Sequence, residues 1–428
     1  MKSWTESVAI YLDRRLIAIL FLGFSSGLPL LLVFSTLSFW LKDEGVSLAA
    51  IGLFSLVRTP YTFKFLWAPL IDKVPLPLLT RLLGRRRGWT LVTQIALMAA
   101  LFAMAGTSPA EAPFQTALLA LVVAFTSASQ DIVIDAYRIE MLEEDEQGAG
   151  AGSLVFGYRM GLITAGAGAL WLHTIFTWPQ VYMIMGALVV VGMITILLSP
   201  EPVLRGDAKE PPSGEGMSSW LGNAVVAPFR DFMFNPGWLY ILLFIMLYKL
   251  GDAYLGVMAN PFYVEMGFTD VEIANVSKIF GVGATLVGAL LGGIMVVRLG
   301  ILKSLLYCGI LQAATNLIFA GQAVVGHSVP MLIVTIGAEN VSGGMATAAF
   351  VAYLSSFCNT TYTATQYALL SSFMAFARDV LSSSSGVMAE QVGWVWFFIV
   401  TTGLALPALV LLLWMMKRFP PPERSAAR

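Results

Sequence analysis

The stretch LIDKVPLPLLTRLLGRRRG, residues 70–88, is a short basic connection between two long apolar segments. A second connection of this kind, GGIMVVRLGILK at residues 292–303, also contains glycine and basic residues. The first follows the second apolar segment of the chain, and the other follows the eighth. A similar loop therefore recurs six segments later, which indicates two structurally related halves.

The composition is that of a membrane protein. Of the 428 residues, 57% are hydrophobic and only 12% are charged, and the mean hydropathy is +0.78. Soluble domains carry about twice that share of charged residues. The net charge of -1 suggests neither a nucleic acid nor an acidic partner. Cys308 and Cys358 lie in apolar contexts and predict no disulfide framework, and the N-terminus shows no pattern of a cleaved signal peptide.

Apolar stretches long enough to cross a bilayer predict an all-α protein with twelve transmembrane helices. The spans are expected at about 15–41, 48–70, 88–107, 114–140, 151–175, 178–199, 236–259, 270–298, 303–325, 329–356, 362–390 and 393–417. The polar segment PPSGEG interrupts the longest gap between them. We therefore predict a six-helix bundle at 1–200, a cytoplasmic linker at 201–235, and a second six-helix bundle with a short tail at 236–428.

Basic residues of the connections fall in alternate loops and at both ends of the chain, whereas the intervening loops hold only Lys42. Loops rich in Lys and Arg stay in the cytoplasm. The pattern predicts that both termini are cytoplasmic and that the number of spans is even.

Charges inside the predicted spans are the strongest functional signal, because a charge in the bilayer is costly unless it is paired or faces water. The cations are Arg58, Lys64, Arg159, Lys249, Lys278 and Arg378. The acids are Asp131, Asp135, Asp252, Glu339 and Asp379. A cavity lined by most of them would be balanced or slightly positive, which suits an anionic or zwitterionic solute. We interpret Lys64 and Lys278 as snorkelling towards an interface.

The segment SQDIVIDAYR, residues 129–138, places Asp131, Asp135 and Arg138 at positions i, i+4 and i+7 of one helix, along one stripe. Two carboxylates one turn apart repel each other, so the stripe needs cations from other helices, such as Arg159 or Arg58, or a proton on one acid. Desolvation favours the protonated form and a nearby cation favours the ionised form, so small movements switch the charge. Asp131 lies deeper than Asp135 and is our first candidate for proton coupling. Asp135 and Arg138 are equally well interpreted as a structural pair.

In the second half, Glu339 and Asn340 occupy the counterpart of Gln130 and Asp131, and Glu339 joins Asp131 and Asp135 as a coupling candidate. Lys249 and Asp252 lie one turn apart and fit an internal salt bridge as well as solute contact. The candidates for contact with a solute are Gln130, Arg58, Tyr158, Arg159, Lys249, Asp252, Asn340, Gln366 and Arg378.

Glycines are expected to serve mainly in packing, with two specific predictions. The segment GFSSGLP at 23–29 is predicted to loosen or kink the first span. The small face with Gly343 and Gly344 is predicted to pack closely against a neighbouring helix.

Two six-span halves with a basic loop after the second span of each resemble the major facilitator superfamily. Four further blocks are similar to the AmpG muropeptide permeases of Gram-negative bacteria. They are GFSSGLPLLL, IGLFSLVRTPYTFKFLWAPLID at 51–72, SQDIVIDAYR, and ENVSGGMATAAFVAYLSSFCNTTYTATQYALLSS at 339–372. The likeness extends from the first span to the eleventh.

The resemblance implies a proton-driven importer in the bacterial inner membrane that carries N-acetylglucosamine-anhydro-N-acetylmuramyl peptides from periplasm to cytoplasm. It also implies a role in cell-wall recycling and, in some bacteria, in β-lactamase induction. Gln130 and Asp131 would belong to the coupling and substrate site. We expect a monomer that uses no cofactor or metal and has a small sugar-peptide and protons as its partners.

Two alternatives come from other classes. A membrane-embedded enzyme would need a base or metal ligands at depth, yet His173 and His327 fall near the ends of spans. The other alternative is an importer of another organic anion, such as a CoA ester, nucleotide or siderophore. A CoA or nucleotide site would be expected to concentrate Lys and Arg for phosphates. Buried cations and acids are nearly matched here, which favours the sugar-peptide.

Overall fold

The computed structural model describes residues 10–46, 54–203, 226–234, 237–359 and 362–418, without the side chains of 55, 270, 274, 278, 376–380 and 383. Within these ranges the chain forms twelve helical segments and no β-strand. They are α1 (Arg14–Asp43), α2 (54–73), α3 (Arg85–Ala105), α4 (Pro113–Met141), α5 (147–173), α6 (Trp178–Leu198), α7 (Trp238–Glu265), α8 (270–299), α9 (Ile301–Val325), α10 (Val329–Ser355), α11 (Thr363–Leu381) and α12 (Ser385–Arg418).

Several segments are interrupted helices. The pieces are Arg14–Leu32 and Ser35–Asp43 in α1; Phe54–Arg58, Thr59–Phe63, Lys64–Leu66 and Ala68–Lys73 in α2; Gln147–Ile163, Thr164–Gly168 and Ala169–His173 in α5; Trp178–Leu188 and Val190–Leu198 in α6; Trp238–Tyr248 and Leu250–Glu265 in α7; and Asp270–Ile273, Ala274–Phe280 and Gly281–Leu299 in α8. Short helices also occur at Ile10–Leu12, Leu79–Leu83, Ala227–Met233 and Ser382–Ser384. Thr164–Gly168 and Ala274–Phe280 are π-helical, a distortion that often accompanies functional sites.

Eight helices among the described residues are long and apolar enough to cross a membrane, with mean hydropathy between 1.4 and 2.6. They are α1, α3, α4, α6, α7, α8, α9 and α12. The other four segments include the polar residues Lys64, Arg159, Glu339 and Gln366. All twelve segments lie where the sequence predicts spans, and the chain is a multi-pass membrane protein.

One predicted boundary is displaced. The sequence predicts a break between spans at 390–393, but α11 ends at Leu381 and α12 already begins at Ser385. The predicted position instead coincides with a kink inside α12 at Gly393, whose φ of 73° leaves the helical region. Glycine adopts this conformation without the steric cost of a side chain, so the break in the pattern marks a bend within a helix.

The segments α1 and α5 are in unusually close contact through glycines on both helices. A β-carbon at Gly27 would overlap the carbonyl oxygen of Tyr158, and one at Gly157 would overlap that of Leu20. Small residues allow such backbone approach in membranes. The segment predicted to loosen or kink, 23–29, lies within one helical piece, Arg14–Leu32, in which Pro29 has no N–H to donate to Ser25, and the interruption of α1 follows at Val33.

The close packing predicted for the small face of α10 holds at one of its two glycines. A β-carbon at Gly344 would overlap the carbonyl oxygen of Thr285 on α8, whereas one at Gly343 would meet only the ends of Glu339 and Gln312 at 3.8 and 3.9 Å. Gly344 is thus a packing residue, and Gly343 lies beneath polar side chains.

Contacts divide the chain into two compact units, which we call the N-terminal unit (4–229 and 354–372) and the C-terminal unit (1–3, 230–353 and 373–428). The predicted division at 200 and 236 stays a prediction, and most of the predicted linker lies outside the described residues. The core of the N-terminal unit includes Leu28, Trp40, Leu101, Ala124 and Tyr182. The core of the C-terminal unit includes Phe262, Phe319, Leu332, Phe397 and Phe398.

Candidate functional site

Gln130 repairs a defect in the backbone of α1. Pro29 has no N–H to donate to the carbonyl oxygen of Ser25 one turn earlier. The side-chain amide of Gln130 donates to that oxygen at 2.9 Å, and the hydroxyl of Ser25 donates to Oε1 of Gln130 at 3.2 Å. Gln130 is fully buried, so these bonds explain its presence in an apolar helix. Its predicted role in solute binding stays a prediction.

The side chain of Asp131 also forms a hydrogen bond with α1. The hydroxyl of Ser26 donates to Oδ1 of Asp131 at 2.6 Å. The ammonium group of Lys64 lies within electrostatic range of both Asp131 and Asp135. The predicted stripe on α4 is therefore met by a cation from α2.

The cation opposite the stripe is not one of those expected. Arg58 is exposed and lies over the ring of Phe34 at 4.8 Å, and Arg159 makes no hydrogen bond or ion pair with any described residue. Lys64 is only 9% exposed, so the interpretation that it snorkels is wrong. Two prolines, Pro60 and Pro69, interrupt α2 on either side of Lys64. Because of these interruptions, the helical spacing of residues does not predict which way the Lys64 side chain points.

Arg138 forms a second cationic centre at the other end of the stripe. It is fully buried and donates to the hydroxyl of Ser355 at 2.8 Å and to Oε1 of Gln147 at 3.3 Å. Its guanidinium also lies over the ring of Tyr367 at 5.6 Å. Asp135 is within electrostatic range but forms no ion pair with it in the described part of the chain. The predicted Asp135–Arg138 pair is thus a loose association.

These groups make up one constellation inside the N-terminal unit, which we call the Asp131 site. Its members are Ser26, Lys64, Asp131, Asp135 and Arg138. Two carboxylates face two cations, so the site is neutral when all four are ionised. Sequence reasoning missed Ser26 and the role of Lys64. The signal in the sequence that could have identified Lys64 is a lysine flanked by prolines within an apolar segment.

A separate charge network lies within the N-terminal unit. Arg86, which is 1% exposed, forms ion pairs with Asp72 at 2.8 Å and with Glu140. Asp72 also accepts hydrogen bonds from the backbone N–H groups of Ala364 and Thr365 at the start of α11. Anions are stabilised at helix N-termini. We call these groups the Asp72 network; it joins the basic connection at 70–88 to residues 354–372.

Gln366 and Tyr158, two predicted solute contacts, lie in the N-terminal unit. The amide of Gln366 donates to the carbonyl oxygen of Pro228 at 3.1 Å and accepts from the backbone of Asn359 at 2.7 Å. Tyr158 is half-buried next to the close contact of its backbone with Gly27. The predicted contact of Gln366 and Tyr158 with a solute stays a prediction.

In the C-terminal unit, Lys249 and Asp252 form the salt bridge that their spacing predicts, at 3.2 Å, and Lys249 also donates to Thr347 at 3.4 Å. Asn340 accepts a hydrogen bond from Thr285 at 2.7 Å and donates to Glu339 at 2.7 Å. The structure therefore brings the predicted residues together in pairs. Arg378 lies outside the described side chains.

No group of three or more His, Cys, Asp or Glu residues that could hold a metal ion occurs among the described residues. The histidines pair instead with single acids, His173 with Asp43 at 3.2 Å and His327 with Glu272 at 3.1 Å. Both pairs lie near the ends of helical segments, as the sequence predicts.

Comparison with known proteins agrees with the fold. The chain matches the Major Facilitator Superfamily over residues 15–286 and 250–428. The proton:xylose symporter XylE superposes with a TM-score of 0.67 at 12% identity, covering 97% of this chain and 96% of that one. The E. coli fucose:proton symporter FucP gives a TM-score of 0.68 at 13% identity, covering 95% and 98%. At such identities the likeness shows the fold alone.

Sequence relatives are much closer. The chain is 42% identical to the anhydromuropeptide permease of E. coli strain K12 over 412 residues, which are 96% of this chain and 81% of the relative. It is 37% identical to the putative transporter AmpG 4 of Rickettsia felis over 411 residues, 96% of this chain and 98% of the relative. Such identity along nearly the whole length, together with twelve helical segments, places this chain in the AmpG family of the Major Facilitator Superfamily.

Proposed function

We propose that the protein is a proton-coupled importer of anhydromuropeptides, which it carries from periplasm to cytoplasm for the recycling of peptidoglycan. The observation that carries this proposal is the 42% identity to an anhydromuropeptide permease along 96% of the chain. The protein would act as a monomer in the bacterial inner membrane, with both termini in the cytoplasm. It would use the proton gradient and no cofactor.

The Asp131 site supports the coupling part of the proposal. A carboxylate that a transporter can protonate must be partly screened from water and have a cation within range, so that both charge states are accessible. Asp131 meets both conditions through its bond to Ser26 and its position opposite Lys64. Asp135 is close enough that the two acids would titrate as a coupled pair.

The transport cycle follows from the charge of this site. A proton from the periplasm neutralises Asp131 and leaves the site with one excess positive charge. An anionic solute is then bound more favourably than before, and release of the solute in the cytoplasm favours loss of the proton. Proton and solute shift the equilibrium between outward-facing and inward-facing states only by their difference in affinity for the two states.

Two other functions are less well supported. An importer of a CoA ester or nucleotide would need several cations for phosphates, whereas each cation of the Asp131 site faces an acid. A membrane-embedded enzyme would be distinguished by chemical change of the solute during uptake. Chromatography of the imported solute separates the enzyme from the carrier in one experiment.

Uptake by proteoliposomes tests the proposal. Purified protein should accumulate labelled anhydromuropeptide when the pH is one unit lower outside, by about tenfold for one proton per solute, because one pH unit corresponds to about 1.4 kcal/mol. Asp131→Asn should abolish accumulation but retain exchange of labelled for unlabelled solute across the membrane, since exchange needs no net proton movement.

The control is Glu111→Gln, which removes an exposed carboxylate in the loop between α3 and α4 and should behave like the unaltered protein. No uptake or exchange by well-folded unaltered protein would refute the muropeptide assignment. Accumulation that persists in Asp131→Asn would refute its role as the coupling acid and direct attention to Asp135 and Glu339.

A further inference from the structure

We propose that the ammonium group of Lys64 binds a carboxylate of the transported solute, which replaces Asp131 as its counter-ion when the proton is loaded. This inference rests on the proposed function and adds to it the chemical group that the N-terminal unit recognises. It assigns a binding role to a residue that the sequence pattern alone does not select.

The first argument is a cation in the protein interior that makes no direct contact with an acid. Lys64 is 9% exposed, and its ammonium keeps some accessible surface but forms no hydrogen bond or ion pair with any described residue. A charge in such a position is stabilised by a counter-ion. Asp131 and Asp135 are within electrostatic range, but neither contacts the ammonium directly. The geometry thus leaves Lys64 free to accept an anion from outside the protein.

The second argument is the backbone around Lys64. The short piece Lys64–Leu66 is a 3₁₀-helix at the centre of the interrupted segment α2. Interrupted transmembrane helices are typical of the sites at which transporters bind solutes and ions. An irregular backbone at membrane depth is tolerated where it is covered by protein or faces a polar cavity. A cation at such a break is well placed to contact a polar solute.

The charge balance of the neighbourhood sets the chemical class. The titratable groups within electrostatic range of Asp131 and Asp135 are Lys64, Arg138, Tyr61, Tyr367 and Cys358. The tyrosines and the cysteine are neutral, so the two acids balance the two cations. One proton therefore leaves an excess of one positive charge, which a single carboxylate restores to neutrality. A phosphate monoester, with about two negative charges, would overcompensate it.

This exchange of counter-ions would couple proton and solute. The proton on Asp131 strengthens binding of the carboxylate by removing a competing anion from Lys64. By thermodynamic linkage the bound carboxylate must strengthen binding of the proton by the same factor. Solute and proton would therefore bind and leave together.

The test measures binding of two ligands to purified protein in detergent: anhydromuropeptide, and the same compound with its carboxylates converted to carboxamides. Unaltered protein at low pH should bind the acid form more tightly by about 10–100-fold, the range expected for one charge-assisted contact. In Lys64→Met this preference should fall below about threefold. Lys64→Arg should retain it.

The control is Lys303→Met, which removes an exposed cation and should keep the full preference. If Lys64→Met does not fold, Lys64→Gln takes its place, since it keeps a polar end. An undiminished preference in either folded variant would overturn the inference, as would equal binding of both ligands by the unaltered protein. Failure of the unaltered protein to bind the acid form at all would instead refute the proposed function.

Discussion

Replacing Gly157 by alanine is expected to prevent normal packing of the N-terminal unit. The added methyl group would overlap the carbonyl oxygen of Leu20 and lie 2.8 Å from its carbonyl carbon and 2.9 Å from the backbone nitrogen of Phe24. All three obstacles are backbone atoms of α1, so no side-chain rotation relieves them. Overpacking of a close-packed core costs about 1–3 kcal/mol, and a backbone clash belongs at or beyond the upper end of this range.

Thermal unfolding in detergent, followed by intrinsic tryptophan fluorescence, measures the effect. Gly157→Ala should unfold at a much lower temperature than the unaltered protein or give no folded protein. Gly403→Ala is the matched control, because nothing lies within 4 Å of the added group on α12. Equal unfolding temperatures for the two variants would show that α1 and α5 separate at little cost.

Replacing Arg86 by glutamine is expected to have a comparably large effect by a different mechanism. Arg86 is the buried cation between Asp72 and Glu140, whose side chains are 1% and 2% exposed. Removing it leaves two acids without their central counter-ion in a medium of low dielectric constant. Loss of one partner of a buried ion pair costs about 3–5 kcal/mol.

Arg86→Gln should therefore unfold at a lower temperature than the unaltered protein and transport poorly. Arg81→Gln, at an exposed position of the same loop, should change neither the unfolding temperature nor transport by much. Adding Asp72→Asn to Arg86→Gln should recover part of the lost stability, because it removes one of the unpaired charges. A double-mutant cycle measures this coupling. Additive effects of the two changes would mean that the ion pair contributes nothing.

The sequence predicts the helical segments well because they depend on local composition, and it marks the acids inside them for the same reason. Apolar length reveals the spans, and a carboxylate such as Asp131 stands out wherever lipid is expected. The pairing of acids with cations is harder to predict. A 3₁₀-helix turns about 120° per residue and an α-helix about 100°. The direction in which the Lys64 side chain points therefore cannot be extrapolated across the breaks in α2. Arg58 and Arg159 appeared equally suitable as partners of the acids.

Long-range contacts explain the other differences. The displaced boundary at Gly393 and the unbroken helix at Gly27 both arise because glycine breaks a helix at one position and permits close packing at another. Which of the two applies depends on the neighbouring backbone, which has no trace in the local sequence. The hydrogen bonds from Ala364 and Thr365 to Asp72 likewise join residues far apart in the chain.

These bonds impose an order on biosynthesis. The donor of Ala364 follows Asp72 by 292 residues. At about 5–20 residues per second, a ribosome needs about 15–60 s to make that distance. Once α1–α6 have been made, the carboxylate of Asp72 has Arg86 as its partner but still lacks the N–H groups of Ala364 and Thr365, and Arg138 lacks the hydroxyl of Ser355. The first half of the polypeptide therefore completes its charge network only after most of the second half has been made.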